Sequence, residues 1–254
     1  MSEWVVLTIA MAAACAVVLT ITVINHRRVG EHDDPSETPD VIEYMTMMIG
    51  VVYAIVLGLA IAGVWEARGA AEDSVRHEAQ ALHEVSARAE VYPAEARERI
   101  RDSVDAYVAH VVDTEWPHMV EKGELTAKGT RLLEQVRRNV TDYVPANDHE
   151  GQAYQPLVDQ VAAADDARGA RGQNAEATMP GVVWFGLVTG AAVTVGLIFT
   201  LQIRRTFNEL LLAGLFSALI AFLLFLIWAF DAPFGRGPTA APGPFTALFP
   251  HALG

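Results

Sequence analysis

The 254-residue chain has a single cysteine, Cys15, so no intramolecular disulfide framework supports the fold. Ala12-Ala13-Ala14-Cys15 faintly resembles a lipoprotein cleavage site, but Val17, Val18 and Leu19 carry the apolar run on past it, so lipidation is set aside. Enzyme motifs are missing too. His77-Glu78 and His83 are not the zinc-protease pattern, because the two histidines are six positions apart and do not share a helix face. There is no Gly-rich phosphate loop, no cysteine metal site and no nucleophile elbow. The eight histidines read as solvated or interfacial. The expectation is a non-enzyme with no cofactor and no metal. Basic residues are also scarce, 18 Lys and Arg against 31 Asp and Glu for a net charge of −13, which argues against a nucleic-acid partner.

Apolar residues are plentiful, at 52% of the chain, and they are pooled. Four runs hold almost no charge: Val5 to Ile24, Val41 to Val64, Val182 to Leu201 and Leu210 to Phe230. Each has the roughly 20 residues that cross a hydrocarbon core of about 30 Å. The expected fold class is all-α, with four transmembrane helices and a helical extramembrane domain inserted between the second and third. Residues 1–64 form the first membrane hairpin, 65–180 the acidic extramembrane domain, 181–230 the second hairpin and 231–254 a Pro/Gly-rich tail. The first run has Glu3 and no Lys or Arg ahead of it, so it reads as an anchor and not as a cleaved signal. His26-Arg27-Arg28 and Arg204-Arg205 flank the runs on one side, which by the positive-inside rule puts 65–180 on the extracytoplasmic face of the inner membrane.

Residues 65–180 hold 13 Lys and Arg against 22 Asp and Glu, a net −9 of the chain's −13. The apolar spacing there is helical. Ala71, Val75, Ala81, Leu82, Val85 and Ala89 form a first stripe; Ile100, Val104, Tyr107, Val108 and Val111 form a second, which ends near Glu115-Trp116-Pro117. Leu132, Leu133, Val136 and Val140 mark a third helix, and Tyr154, Leu157, Val158 and Val161 a fourth. The second run meets no breaker until Pro93, so its helix can continue outward as one rod of about 50 residues, on the order of 75 Å. The tail has five Pro and four Gly in 24 residues and is expected to be irregular. Its Phe234, Phe245 and Phe249 suit either the lipid interface or the extramembrane domain.

Small residues recur within the membrane runs. Gly50, Ala54, Gly58 and Ala62 repeat every fourth residue in the second run; Gly186 and Gly190, continued by Thr194, do so in the third, and Ala213, Ser217 and Ala221 in the fourth. Such rows let helix backbones approach closely in lipid, either inside one subunit or between subunits. Glu43 and Met47 share the face of Gly50, Ala54 and Gly58, so that row ends on a carboxylate. These five are the pore-lining residues expected from the sequence. Glu43 is either part of a carboxylate ring around an oligomer axis or a solvated helix-end residue. Tyr53, deeper in the same helix, calls for an internal hydrogen bond.

Several short motifs appear in a fixed order: His77-Glu78-Ala79, Tyr107, Glu115-Trp116, Arg168 and Arg171 before Met179-Pro180, then Asp231-Ala232-Pro233-Phe234-Gly235 and Pro244-Phe245. With the helix layout, they make the chain resemble the bacterial bestrophin-like membrane proteins, a family known chiefly as a domain of unknown function. The resemblance implies a relation to bestrophins, pentameric anion channels with a hydrophobic neck lined by the second membrane helix. Met45, Met48, Ile49 and Val52 are the neck residues it implies here, without a run of pore-facing aromatics. Bestrophins keep their helical domain in the cytosol, whereas the basic flanks put this one outside. The acidic domain and Glu43 favour cations, while the family favours anions.

Two functions follow. The first is a homo-oligomeric ion channel in the lipid bilayer, its second membrane helix along the axis and inorganic ions as its cargo. The second is a non-conducting module whose extramembrane helices sense or scaffold, with Trp116, Arg168 and Arg171 as binding residues. A Glu115–Arg ion pair is the purely structural account of those residues.

Overall fold

The computed structural model describes residues 40–176, 179–201, 207–235 and 241–252. The run from Val5 to Ile24 and the basic pairs at 27–28 and 204–205 lie outside the described residues, as does the side chain of Glu43. All regular structure among the described residues is helical. We number the α-helices α1 (Asp40–Arg88), α2 (Ala94–His110), α3 (Trp116–Lys122), α4 (Ala127–Thr141), α5 (Asp148–Gln173), α6 (Gly181–Leu201), α7 (Phe207–Phe230) and α8 (Gly243–Leu248). The second run does extend into one continuous helix, α1, of 49 residues. Three helices among the described residues are long and apolar enough to cross a membrane. They carry the second, third and fourth runs.

The chain divides into two compact units, one holding Met179–Asp231 with the segment up to Trp65, the other Glu66–Thr178 with Ala232–Gly254. In the second unit the apolar stripes meet as one core. Ala71, Val75, Leu82, Val85 and Ala89 of α1 and its extension pack with Ile100, Val104, Tyr107, Val108 and Val111, with Leu133, Val136 and Val140, and with Leu157, Val161 and Ala164. All are buried. Phe234, Phe245 and Phe249 of the tail lie in this same core. The tail is not wholly irregular, for Gly243–Leu248 is a short helix, its Pro residues at positions where a first turn needs no N–H.

The helix beginning at Ala94 also runs past its expected end. A π-helical segment, Val111–Glu115, joins α2 to α3, and Pro117 falls in the first turn of α3, where its missing N–H costs nothing. Gly123 then takes a left-handed φ of 72° and closes α3, its N–H bonding the carbonyl of Met119. Thr126 caps α4 by accepting from the N–H of Gly129, and Asn147 caps α5 by accepting from that of Glu150.

In the first unit, Tyr53, Leu57, Ala60 and Val64 of α1 pack with Leu187 and Ala191 of α6 and Ile220 and Ile227 of α7. The Tyr53 hydroxyl donates to the carbonyl oxygen of Leu187 at 2.9 Å, the internal bond that a buried phenol requires in lipid. Its ring lies over Gly190, where a Cβ would come within 2.6 Å of Cε2. Gly190 is therefore a small residue used for helix packing. Ala213 and Ser217 are buried, Ser217 donating to the carbonyl of Ala213, while Ala221 is half-buried. Gly186 faces open space.

Candidate functional site

The residue stripes that build the core of the second unit are interrupted by charge. On α1 the spacing Ala71, Val75, Glu78, Leu82, Val85 puts a glutamate at a core position, and on α5 the series Leu157, Val161, Ala164 continues as Arg168 and Arg171. The second carboxylate lies within the π segment. Glu115 is four residues past Val111 and seven past Val108, so it continues the face of Ile100, Val104, Val108 and Val111. Thr114 is exposed and Glu115 is fully buried.

These side chains converge. Arg171 donates from Nε to Glu78 Oε2 at 2.7 Å and from Nη2 to Glu78 Oε1 at 3.1 Å and Glu115 Oε1 at 2.8 Å. Its Nη1 rests on the sulfur of Met119 at 3.4 Å. Arg168 holds Glu115 as a two-pronged pair, Nη1 to Oε1 and Nη2 to Oε2, the latter at 2.9 Å. It also donates to the Tyr107 hydroxyl at 3.0 Å. The Tyr107 hydroxyl in turn donates to Glu78 Oε1. The N–H and hydroxyl of Thr126 both donate to Glu115 Oε2, at 3.0 and 2.7 Å. Two carboxylates and two guanidinium groups thus cancel in charge while their lone pairs and N–H groups are met, the condition under which buried ions are tolerated.

Burial alone would raise the Glu115 pKa, but the hydrogen bond from Arg168 and the charges of Arg171 and Arg168 outweigh it and hold the carboxyl at about 2. Burial would lower Arg171, yet Glu78 raises it above its ordinary value. Burial and the Glu78 charge push Tyr107 well up, so it stays a neutral donor.

Of the residues singled out by sequence, Glu115, Arg168 and Arg171 are therefore in direct contact. Trp116 is beside them in the chain but turns to the tail, edge-on to Phe234 with centroids 5.4 Å apart. Phe234 and Pro233 are buried and Gly235 is exposed. Asp231 acts elsewhere. At the end of α7 it accepts from the N–H of Met179 at 2.7 Å and from the indole N–H of Trp184 at 3.0 Å. It ties that end of α7 to the start of α6, where the helix dipole favours an anion. Glu78 and Tyr107 complete the cluster, and His110, Thr126 and Gly129 line it. Sequence reading quoted the first two only as motif residues and missed the last three.

The small-residue row lies outside this cluster, on α1. The face packed inside the subunit is that of Tyr53, Leu57, Ala60 and Val64, whereas Met47, Ala54 and Gly58 are exposed. A Cβ added at Gly50 or Gly58 would meet nothing within 4 Å. Met45, Met48, Ile49 and Val52 are exposed as well. At about 100° per residue the two sets fall on opposite sides of the helix, flanking the packed face. One straight helix cannot turn both to a single axis.

The family model for the bestrophin-like domain matches residues 12–245. The chain belongs to the bestrophin-like family. Its fold is similar to the crystal structure of a bacterial bestrophin homolog from Klebsiella pneumoniae carrying a point mutation, with a TM-score of 0.71, 11% identity and 100% of each chain covered. No curated protein matches the sequence. The bestrophin-like chain is accordingly a membrane protein, helical in all regular structure of its described residues, whose motif residues Glu78, Tyr107, Glu115, Arg168 and Arg171 meet in one buried cluster.

Proposed function

We propose that this bestrophin-like protein is a homo-oligomeric ion channel of the bacterial inner membrane, with α1 along the axis. The observation that carries the reading is the outward face of α1 at Gly50, Ala54 and Gly58. Lipid selects large apolar side chains, whereas small ones in a row serve helix approach, and this row has no partner within 4 Å at Gly50 or Gly58. The same face carries Glu43 in the first turn of α1, an ionisable group best accommodated by protein or water. On this reading Glu43, Met47, Gly50, Ala54 and Gly58 face the axis and the neighbouring subunits. Met45, Met48, Ile49 and Val52 then face away from it and do not form the neck. The fold of the Klebsiella bestrophin homolog supports the channel class, and the permeant ion is read by experiment.

Gly58→Leu places a branched side chain in the proposed contact. It is expected to break the oligomer into smaller species on light scattering and to abolish salt efflux from proteoliposomes. An intact, conducting Gly58→Leu assembly would overturn this placement of α1.

A further inference from the structure

One titratable group beside the ion cluster has no role in neutralising it. His110, at the end of α2, is buried, and its Nε2 lies 2.8 Å from Thr126 Oγ1. The Thr126 hydroxyl gives its only proton to Glu115 Oε2 and accepts from the N–H of Gly129 at 3.1 Å. Its contact with His110 must therefore be one it accepts, so Nε2 carries the imidazole proton. Nδ1 is left bare, buried and without a hydrogen-bond partner.

A second proton on His110 would have to go to Nδ1, where no acceptor receives it. The charged groups facing the ring are Glu115 from the π segment, Lys128 from α4 and Arg168 from α5. Glu115 already accepts from both arginines and from Thr126, so the new cation would meet two like charges and one fully engaged carboxylate. The element on the Nε2 side of the ring is thinly covered, for Thr126 is only half-buried and Ala127 and Lys128 are exposed. Releasing the first turn of α4 frees the Nε2 edge of the ring, held by Thr126, and carries Lys128 away from the new cation.

We propose that His110 and Thr126 form a proton-operated latch on this ion cluster, in which protonation of His110 releases the first turn of α4. Burial, with Lys128 and Arg168, outweighs Glu115 and holds the imidazole below its ordinary value. The latched arrangement is therefore most stable above that ordinary value and weakens as pH falls through the window beneath it.

Hydrogen exchange of the peptide covering residues 123–130, measured on the full chain in nanodiscs from about pH 8 to about pH 5, tests this. Protection, corrected for intrinsic exchange, is expected to fall by up to about tenfold per pH unit below the transition. His110→Gln keeps an amide donor toward Thr126 without titrating, and its profile is expected to be flat. Flat wild-type protection, or the same slope in a folded His110→Gln, would overturn the latch. Should that variant fail to fold, Lys128→Met removes one facing charge at an exposed position, brings the latched imidazole closer to its ordinary value and is expected to shrink the loss of protection between about pH 8 and about pH 5. An undiminished loss in Lys128→Met would equally overturn it.

Discussion

Glu115→Ala is expected to destabilise the Glu66–Thr178 unit by about 3–5 kcal/mol, the range for removing one partner of a buried ion pair. The carboxylate receives five hydrogen bonds: two from Thr126, two from Arg168 and one from Arg171. Without it, two buried guanidinium groups share Glu78 alone, and the first turn of α4 loses the group that binds its cap. Pairing the change with Arg168→Ala removes one stranded cation, so the double variant is expected to lose less than the two single losses combined. Thermal unfolding followed by circular dichroism in detergent reads both. A Glu115→Ala loss below about 1 kcal/mol would mean the cluster is not a closed network. The acid limb has a definite sign. Glu115 is held at about 2 against an ordinary 4.5, so its contribution is complete above the ordinary value and is lost as pH falls toward the folded one.

The second large effect reverses a general rule. Replacing a helical glycine by alanine ordinarily stabilises by roughly 0.5–1 kcal/mol, because glycine has more freedom to lose. At Gly129 in α4 the added Cβ would overlap Glu115 Oε2 and lie 2.7 Å from Arg168 Nη2 and 3.0 Å from Nη1. Neither side chain is a free end that can swing aside, since each is buried and held by several hydrogen bonds. Gly129→Ala is therefore expected to destabilise by about 1–3 kcal/mol. Gly169→Ala on α5, where a Cβ meets nothing within 4 Å, supplies the contrast and is expected to stabilise. Equal shifts in the two variants would remove the close approach of α4 to the cluster.

Much of this architecture is written in the apolar spacing. The stripes at Ile100–Val111 and Leu157–Val161 locate their helices because alternate steps of four and three residues keep one face inward. The same spacing marks the cluster, since Glu78, Arg168 and Arg171 occupy places in the stripes where an apolar residue is expected. A charge at a core position is a signal, and continuing each stripe by one more step finds it. Glu115 continues its stripe too, four residues past Val111, and what spacing cannot show is the pairing. The partners of Glu115 are arginines 53 and 56 positions away. Composition likewise made the tail look loose, although Phe234, Phe245 and Phe249 are core residues of the second unit. In the membrane, the row of small residues on α1 was legible, but only the packed face of Tyr53, Leu57 and Val64 shows that the row points away from the subunit's own core.

Current across a planar bilayer containing the purified protein, under a tenfold potassium chloride gradient, tests the channel reading most directly. The account predicts a current with a defined reversal potential, which names the favoured ion, and a shift of that potential in Glu43→Gln as the carboxylate leaves the pore face. A silent bilayer with insertion confirmed would contradict conduction and leave the Glu66–Thr178 unit as the working part of the protein.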